Sequence, residues 1–180
     1  IIVMNEDESE GFALLPMDAD PNDSLMVSIV SDNLLLFPEG AITVEPETAL
    51  SNVQRQITLS PAENQFGEAV VILTVTDGSG SYSDQFTAVV SSVNDAPIIT
   101  PIVNHSTTVE ELYTFAVTAI DVEGDNLTYS LTTSPEGMDI GEQSGEINWT
   151  PGTNDIDTDS IYVRVTDDGV PVQYSEMSYE

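Results

Sequence analysis

Short runs of alternating apolar and polar residues, broken by proline, glycine, asparagine or aspartate about every 8–12 positions, most limit what this 180-residue chain can fold into. Successive side chains of a strand point to opposite faces, so a period of two marks a sheet with one face buried. In Ala69-Val-Val-Ile-Leu-Thr-Val75 that period puts Val71, Leu73 and Val75 on one face and Val70, Ile72 and Thr74 on the other. Leu25-Met-Val-Ser-Ile-Val30, Leu34-Leu-Leu-Phe37, Ala41-Ile-Thr-Val44, Gln56-Ile-Thr-Leu59 and Gln85-Phe-Thr-Ala-Val-Val90 read as further strands. Pro38, Pro46 and Pro61 punctuate them. No stretch carries the spacing of a helix of useful length; Pro46 to Ser51 has room for one helical turn.

After Val93-Asn-Asp-Ala-Pro97 the scheme begins again, with Tyr113-Thr-Phe-Ala-Val-Thr-Ala119, Leu127-Thr-Tyr-Ser-Leu131, Glu146-Ile-Asn-Trp149 and Ser160-Ile-Tyr-Val-Arg-Val165. The Asp77-Gly78 turn of the first half returns as Asp167-Asp168-Gly169 in the second. Two β-sandwich domains of about 90 residues fit this length. Domain 1 is expected over 1–95 and domain 2 over 96–180. Fewer residues follow Asp167 than the long strand after Asp77 uses, so domain 2 is expected to lack its last strand. The opening on Ile1-Ile-Val3 and the close on Tyr179-Glu180 read as a piece of a longer protein.

The formal net charge is −30, with Arg55 and Arg164 as the only strongly basic side chains. Such a chain cannot neutralise phosphates, so nucleic acid is excluded as a partner. No run is apolar enough to insert in a membrane. A hydrophobic fraction of 40% with clear strand alternation argues against the disorder that high charge otherwise brings. A folded chain this acidic calls for a bound or screening cation. There is no cysteine, which removes thiol nucleophiles, thiolate zinc sites and disulfides. The one histidine, His105, has no partner pattern around it and no Gly-x-Ser-x-Gly elbow is present. The chain is therefore read as not an enzyme.

The first half resembles bacterial cadherin-like tandem repeats through Asp18-Ala-Asp20, Leu59-Ser-Pro-Ala-Glu-Asn-Gln-Phe-Gly67, Leu73-Thr-Val-Thr-Asp-Gly78 and Val93-Asn-Asp-Ala-Pro97. The second half resembles the dystroglycan-type cadherin-like variant through Ala119-Ile-Asp121, Leu127-Thr-Tyr-Ser-Leu131, Pro135-Glu-Gly-Met138, Ser144-Gly-Glu-Ile-Asn-Trp-Thr-Pro151 and Val165-Thr-Asp167. The resemblance implies an all-β chain of two tandem Greek-key sandwiches, cadherin/Ig-like, set end to end. It implies a place outside the cell, on the surface of a bacterium, in a large adhesin. Neighbouring repeats of the same polypeptide are the implied partners, with cell-surface glycans or like repeats beyond them. The implied function is a spacer stiffened by calcium. A carbohydrate-binding module and a homophilic adhesion unit stand as alternatives.

The resemblance also implies a ligand set. Glu6 would end the first strand of one repeat, Asn94 and Asp95 would come from the linker, Asp121 and Glu123 would form the acidic pair, and Asp167 the turn. Half-sites are implied at Asp18, Asp20 and Asp77 in domain 1, and at Glu110 and Glu111 in domain 2. Calcium takes about six to eight oxygens, so carboxylates and amide carbonyls at one point suit it. Ser92 stands where the fuller linker has an aspartate, and Asp-Val-Glu replaces Asp-x-Asp, so one or two ions are expected per junction. Asp155-Ile-Asp-Thr-Asp159 alternates carboxylates but lacks the glycine and terminal glutamate of an EF-hand, and reads as a solvated loop. Trp149 reads as core; Tyr162, Tyr174 and Tyr179 form a candidate sugar-stacking stripe.

Overall fold

A computed structural model describes residues 1–155 and 160–180. The described residues divide into two compact units, Ile1–Val93 and Asn94–Glu180. All their regular structure is β, and none contains a helix long and apolar enough to cross a membrane.

Unit 1 holds eight strands: β1 (Ile2–Asn5), β2 (Glu10–Leu14), β3 (Ser24–Ser31), β4 (Ile42–Glu45), β5 (Thr48–Leu50), β6 (Arg55–Leu59), β7 (Gly67–Thr76) and β8 (Ser81–Ser91). One sheet runs in the order β1-β8-β7-β3-β5 and the other β2-β6-β4. β1 lies parallel to β8, with Ile2 opposite Ala88, whereas the β7–β8 hairpin is antiparallel over ten pairs. The expected alternation holds in β7, where Ala69, Val71 and Leu73 are buried and Ile72 faces out. With Val27, Ala88 and Val90 of the neighbouring strands, these side chains close on Ile57 and Leu59 of β6 in the other sheet.

Two local readings are corrected. Leu34 to Phe37 is a turn rather than a strand. The Asn33 side chain accepts from the Leu35 and Leu36 N–H groups, each at 3.2 Å, and Asn33 O accepts from Phe37 N at 2.9 Å. Asparagine offers the backbone this local alternative to a ladder. Leu36 and Phe37 then plug the core while Leu34 and Leu35 stay exposed. The stretch after Pro46 makes β5, with Ala49 paired to Leu25 of β3, rather than a helical turn. Pairing to an existing strand satisfies its backbone at a distance that local propensity cannot sense.

Unit 2 holds β9 (Ile98–Ile99), β10 (Tyr113–Ala116), β11 (Ala119–Ile120), β12 (Thr128–Thr133), β13 (Asp139–Ile140), β14 (Glu146–Trp149), β15 (Ile161–Thr166) and β16 (Tyr174–Tyr179). They pair as β10-β14-β13, β11-β9 and β12-β15-β16. The expected absence of the last strand is corrected: β16 pairs with all six residues of β15, from Ile161–Tyr179 to Thr166–Tyr174. The shortfall in residues is taken from strand length, six against the eleven of β8, and not from the strand itself. Trp149 is buried with Ile147, Val163 and Tyr179, and its indole N–H donates to Glu136 O at 3.3 Å. Tyr179 therefore faces the core, away from the exposed Tyr162 and Tyr174, which splits the expected aromatic stripe.

Candidate metal centre

Five of the predicted ligands lie at one end of unit 2, linked in pairs by hydrogen bonds; among the described residues no three of their carboxylates come within 4.8 Å of one another, as the unit 1 trio does. The turn Asp121 to Asp125, between β11 and β12, closes on itself: Asp121 Oδ1 accepts from Asp125 N at 2.9 Å, and Gly124 takes φ 82°. The turn between β15 and β16 is built on Asp167. Its Oδ1 accepts from Gly169 N (3.1 Å) and Gln173 N (2.9 Å), and its own N–H donates to Gln173 O. Asn94 enters this turn, donating Nδ2 to Asp167 Oδ2 (3.2 Å) and to Pro171 O (3.0 Å). The Gln173 amide holds the Asn94 carbonyl in return. Asp95 N donates to Glu123 Oε2 at 3.1 Å, which ties the second linker residue to the acidic pair.

These bonds leave acceptors over. Asn94 Oδ1, Asp95 Oδ2, Asp121 Oδ2 and Glu123 Oε1 are buried and have no hydrogen-bond partner. Asn94 is 8% exposed. Its amide cannot be turned round, because Nδ2 already faces two acceptors, so the oxygen must point the other way. A buried acceptor without a donor costs about 1–3 kcal/mol. Four at one end of a small domain call for a cation to satisfy them. Among the described residues the one ion pair is Arg164–Glu176, at 3.1 Å, so no side-chain cation serves here. The oxygens fit a hard divalent ion; nothing in the set is a soft ligand.

Sequence reasoning missed Asp125. It lies close to Asp121, Asp168 and Asp167, and desolvation first, then these three charges in that order, raise its pKa. Asp168 goes the other way, because the Asn126 side chain and backbone donate to it. Glu6, the sixth predicted ligand, lies in unit 1. It is buried, Oε1 accepts from Val93 N at 2.7 Å, and its N–H donates to Ser91 O.

In unit 1, Asp18, Asp23 and Asp77 each offer a carboxylate oxygen within 4.8 Å of the others. Asp18 and Asp77 were expected in this group. Asp20 is not in it: its Oδ1 accepts from the Asn22 N–H (2.9 Å) and side-chain amide. Asp23 takes the place, just before β3 begins, where no motif marks it. Desolvation, then Asp20, Asp18 and Asp77, raise its pKa, while N–H groups of Gly80 and Ser79 lower that of Asp77. A raised folded-state pKa contributes stability that is present at low pH and lost as pH rises through it; a lowered one contributes stability lost as pH falls. Asp23 and Asp125 titrate above the ordinary aspartate value, and Asp77 and Asp168 below it. In chelator, the melting temperature is therefore expected to rise as pH falls through the range just above the ordinary aspartate value of about 4, then to drop below it. A monotonic fall from neutral pH, followed by calorimetry, would contradict the clustering.

The remaining candidates lie elsewhere. Glu110 sits in a turn with φ 62° and donates its N–H to Pro151 O; Glu111 donates to Thr108 O. Neither joins a group of three metal-type side chains among the described residues. Asp155 Oδ2 accepts from Gly152 N at 2.7 Å, and the rest of the Asp155–Asp159 string lies outside the described residues. His105 packs 4.4 Å from the Phe115 ring and shares a 3.1 Å hydrogen bond with the Tyr113 hydroxyl. It borders a cavity of about 470 Å³ with Trp149 and Tyr179, away from the acidic end.

The bacterial Ig domain family matches residues 1–91, and the putative Ig domain family matches residues 96–179. No curated protein matches the chain. Among solved structures, repeats EC21-23 of human CDH23 are similar at a TM-score of 0.57 and 18% identity, over 98% of this chain and 69% of that one. Repeats EC22-24 of mouse cadherin-23 give 0.55 and 18%, over 98% and 59%. Repeats EC1-3 of protocadherin gamma C5 give 0.56 and 16%, over 99% and 63%. The chain thus spans 59–69% of the lengths of these structures. Each likeness is one of fold.

Proposed function

This chain belongs to the bacterial Ig domain family through residues 1–91, just over half its length, and we propose that it is a calcium-binding stretch of tandem extracellular repeats. The observation that carries the reading is the set of buried acceptor oxygens without donors, led by Asn94 Oδ1. Asn94, Asp95, Asp121, Glu123 and Asp167 would hold the ion. Calcium supplies charge neutralisation and shared coordination there. Without it the carboxylates repel one another, and the connecting residues Val93 to Pro97 lose the anchor that Asn94 and Asp95 provide. Pro97 already restricts Ala96, so ordering two more positions stiffens the whole connection. The role is mechanical: a spacer of a large bacterial surface or secreted adhesin, with the second repeat of the dystroglycan-type cadherin-like kind and no catalytic activity.

Titration calorimetry on the full chain is expected to show binding at roughly 10⁻⁴ to 10⁻³ M, the range of extracellular calcium modules. Asp121→Asn should remove the unit 2 event. Hydrogen exchange at the Asn94 and Asp95 amides should slow in calcium. Unchanged exchange there, with calcium bound, would count against the stiffening role. A glycan partner has narrower support: Tyr162 and Tyr174 are exposed, and Arg164 stacks 4.2 Å from the Tyr174 ring centroid. Retention on a glycan array that Tyr162→Ala abolishes would favour it.

A further inference from the structure

Gly169 explains itself by space and not by backbone conformation. Its φ lies outside the left-handed region, unlike Gly124, Gly137 and Gly145, so any residue could adopt its backbone. Yet a Cβ placed there would lie 1.8 Å from Asn94 Oδ1, 2.3 Å from Asn94 Cγ and 2.4 Å from Asp125 Oδ2. Two acceptor oxygens from separate parts of the chain therefore crowd one point above the Gly169 Cα. One is the buried, donorless oxygen of Asn94, whose orientation its two acceptor partners fix. The other is a carboxylate of a residue outside the predicted set. An amide acceptor and a carboxylate do not converge in this way without a donor or a cation between or beside them.

We propose that Asp125 is a further ligand of the cation in unit 2, and that Gly169 is a positioning residue whose missing side chain leaves room for the Asn94 and Asp125 oxygens to reach that ion. The proposal rests on the reading of this end of unit 2 as a calcium site. The Asp125 backbone N–H is already held by Asp121 Oδ1, so the Asp121–Asp125 turn delivers two carboxylates at once. Asp168 has a different occupation, since both its oxygens accept from Asn126.

The test is calcium titration calorimetry and thermal melting of the full chain and four variants of it. Asp125→Asn should weaken calcium binding in unit 2 roughly tenfold or more, because ligand charge count tunes calcium affinity. It should leave the melting temperature in chelator unchanged or higher, since it removes a charge from a repelling group. A merely structural Asp125 would lower that temperature and leave affinity alone. Gly169→Ala should also weaken binding in unit 2, whereas Gly80→Ala, in unit 1 and where a methyl meets open space, should leave the unit 2 event as it is. Asp121→Asn separates the two claims. If it abolishes binding and Asp125→Asn does not weaken it, Asp125 is no ligand and the calcium reading stands. If Asp121→Asn also binds as the parent chain does, the calcium reading itself falls, and this proposal with it.

Discussion

Calcium at 10 mM is expected to raise the melting temperature of unit 2 by on the order of 10 °C over the same protein in chelator. The size follows from linkage. With dissociation near 10⁻⁴ M, 10 mM is about a hundredfold excess, which stabilises the folded state by about 2.7 kcal/mol. A domain of this size gains roughly 4–8 °C per kcal/mol. Trp149, the single tryptophan, lies in the unit 2 core, so its fluorescence reports that unit alone. Sodium chloride at matched ionic strength should do much less, because screening only thins the repulsion whereas coordination replaces it. Magnesium should also do less, since it demands near-octahedral geometry and gives up water reluctantly. Asp121→Asn should flatten the response. Superimposable Trp149 melting curves in chelator and in calcium would remove the basis for the metal centre.

Arg55→Ala should be the most damaging single change in unit 1, on the order of 4 kcal/mol. The Arg55 side chain is 0% exposed, in a chain with a net charge of −30, yet no carboxylate accepts from it. Its guanidinium donates instead to the carbonyls of Leu25 (3.1 Å), Ala49 (3.0 Å) and Val53. One side chain of β6 thus holds β3, β5 and the turn after β5. Truncation opens a cavity and takes the guanidinium donor from three carbonyls. Arg55→Lys should recover only part of the loss, because an ammonium cannot span the three acceptors as a planar fork does. Circular dichroism should show an early transition with Trp149 fluorescence unmoved. A loss below about 1 kcal/mol would mean the carbonyls find other donors, contrary to the cost of buried unpaired groups.

Strand alternation was legible because burial imposes it directly. Val71 and Leu73 had to face one way whatever lay opposite. The linker and turn motifs were legible for a related reason: Asn94, Asp95, Asp121 and Asp167 lie in short segments whose chemistry is local. Leu34 to Phe37 misled because four apolar residues in a row fit a strand or a core plug equally, and one Asn33 side chain decided between them. β5 and β13 were invisible because strands of two or three residues are stabilised by their partners and not by their own pattern.

Composition and period alone determined an all-β chain of two similar halves, poor in every function that needs basic side chains or thiols. The candidate ligands came from the resemblance of the linker and turn motifs, and not from composition or period. Only the tertiary structure chose among equals. It drew Asp23 beside Asp18 and Asp77 and left Asp20 to cap its own turn, and it brought Asp125 and Asn94 together over Gly169. The physical reason is that a carboxylate's partners are set by which loops the sheets bring to one end. That depends on strand order and register across the whole domain, and 32 acidic residues in sequence carry no record of it.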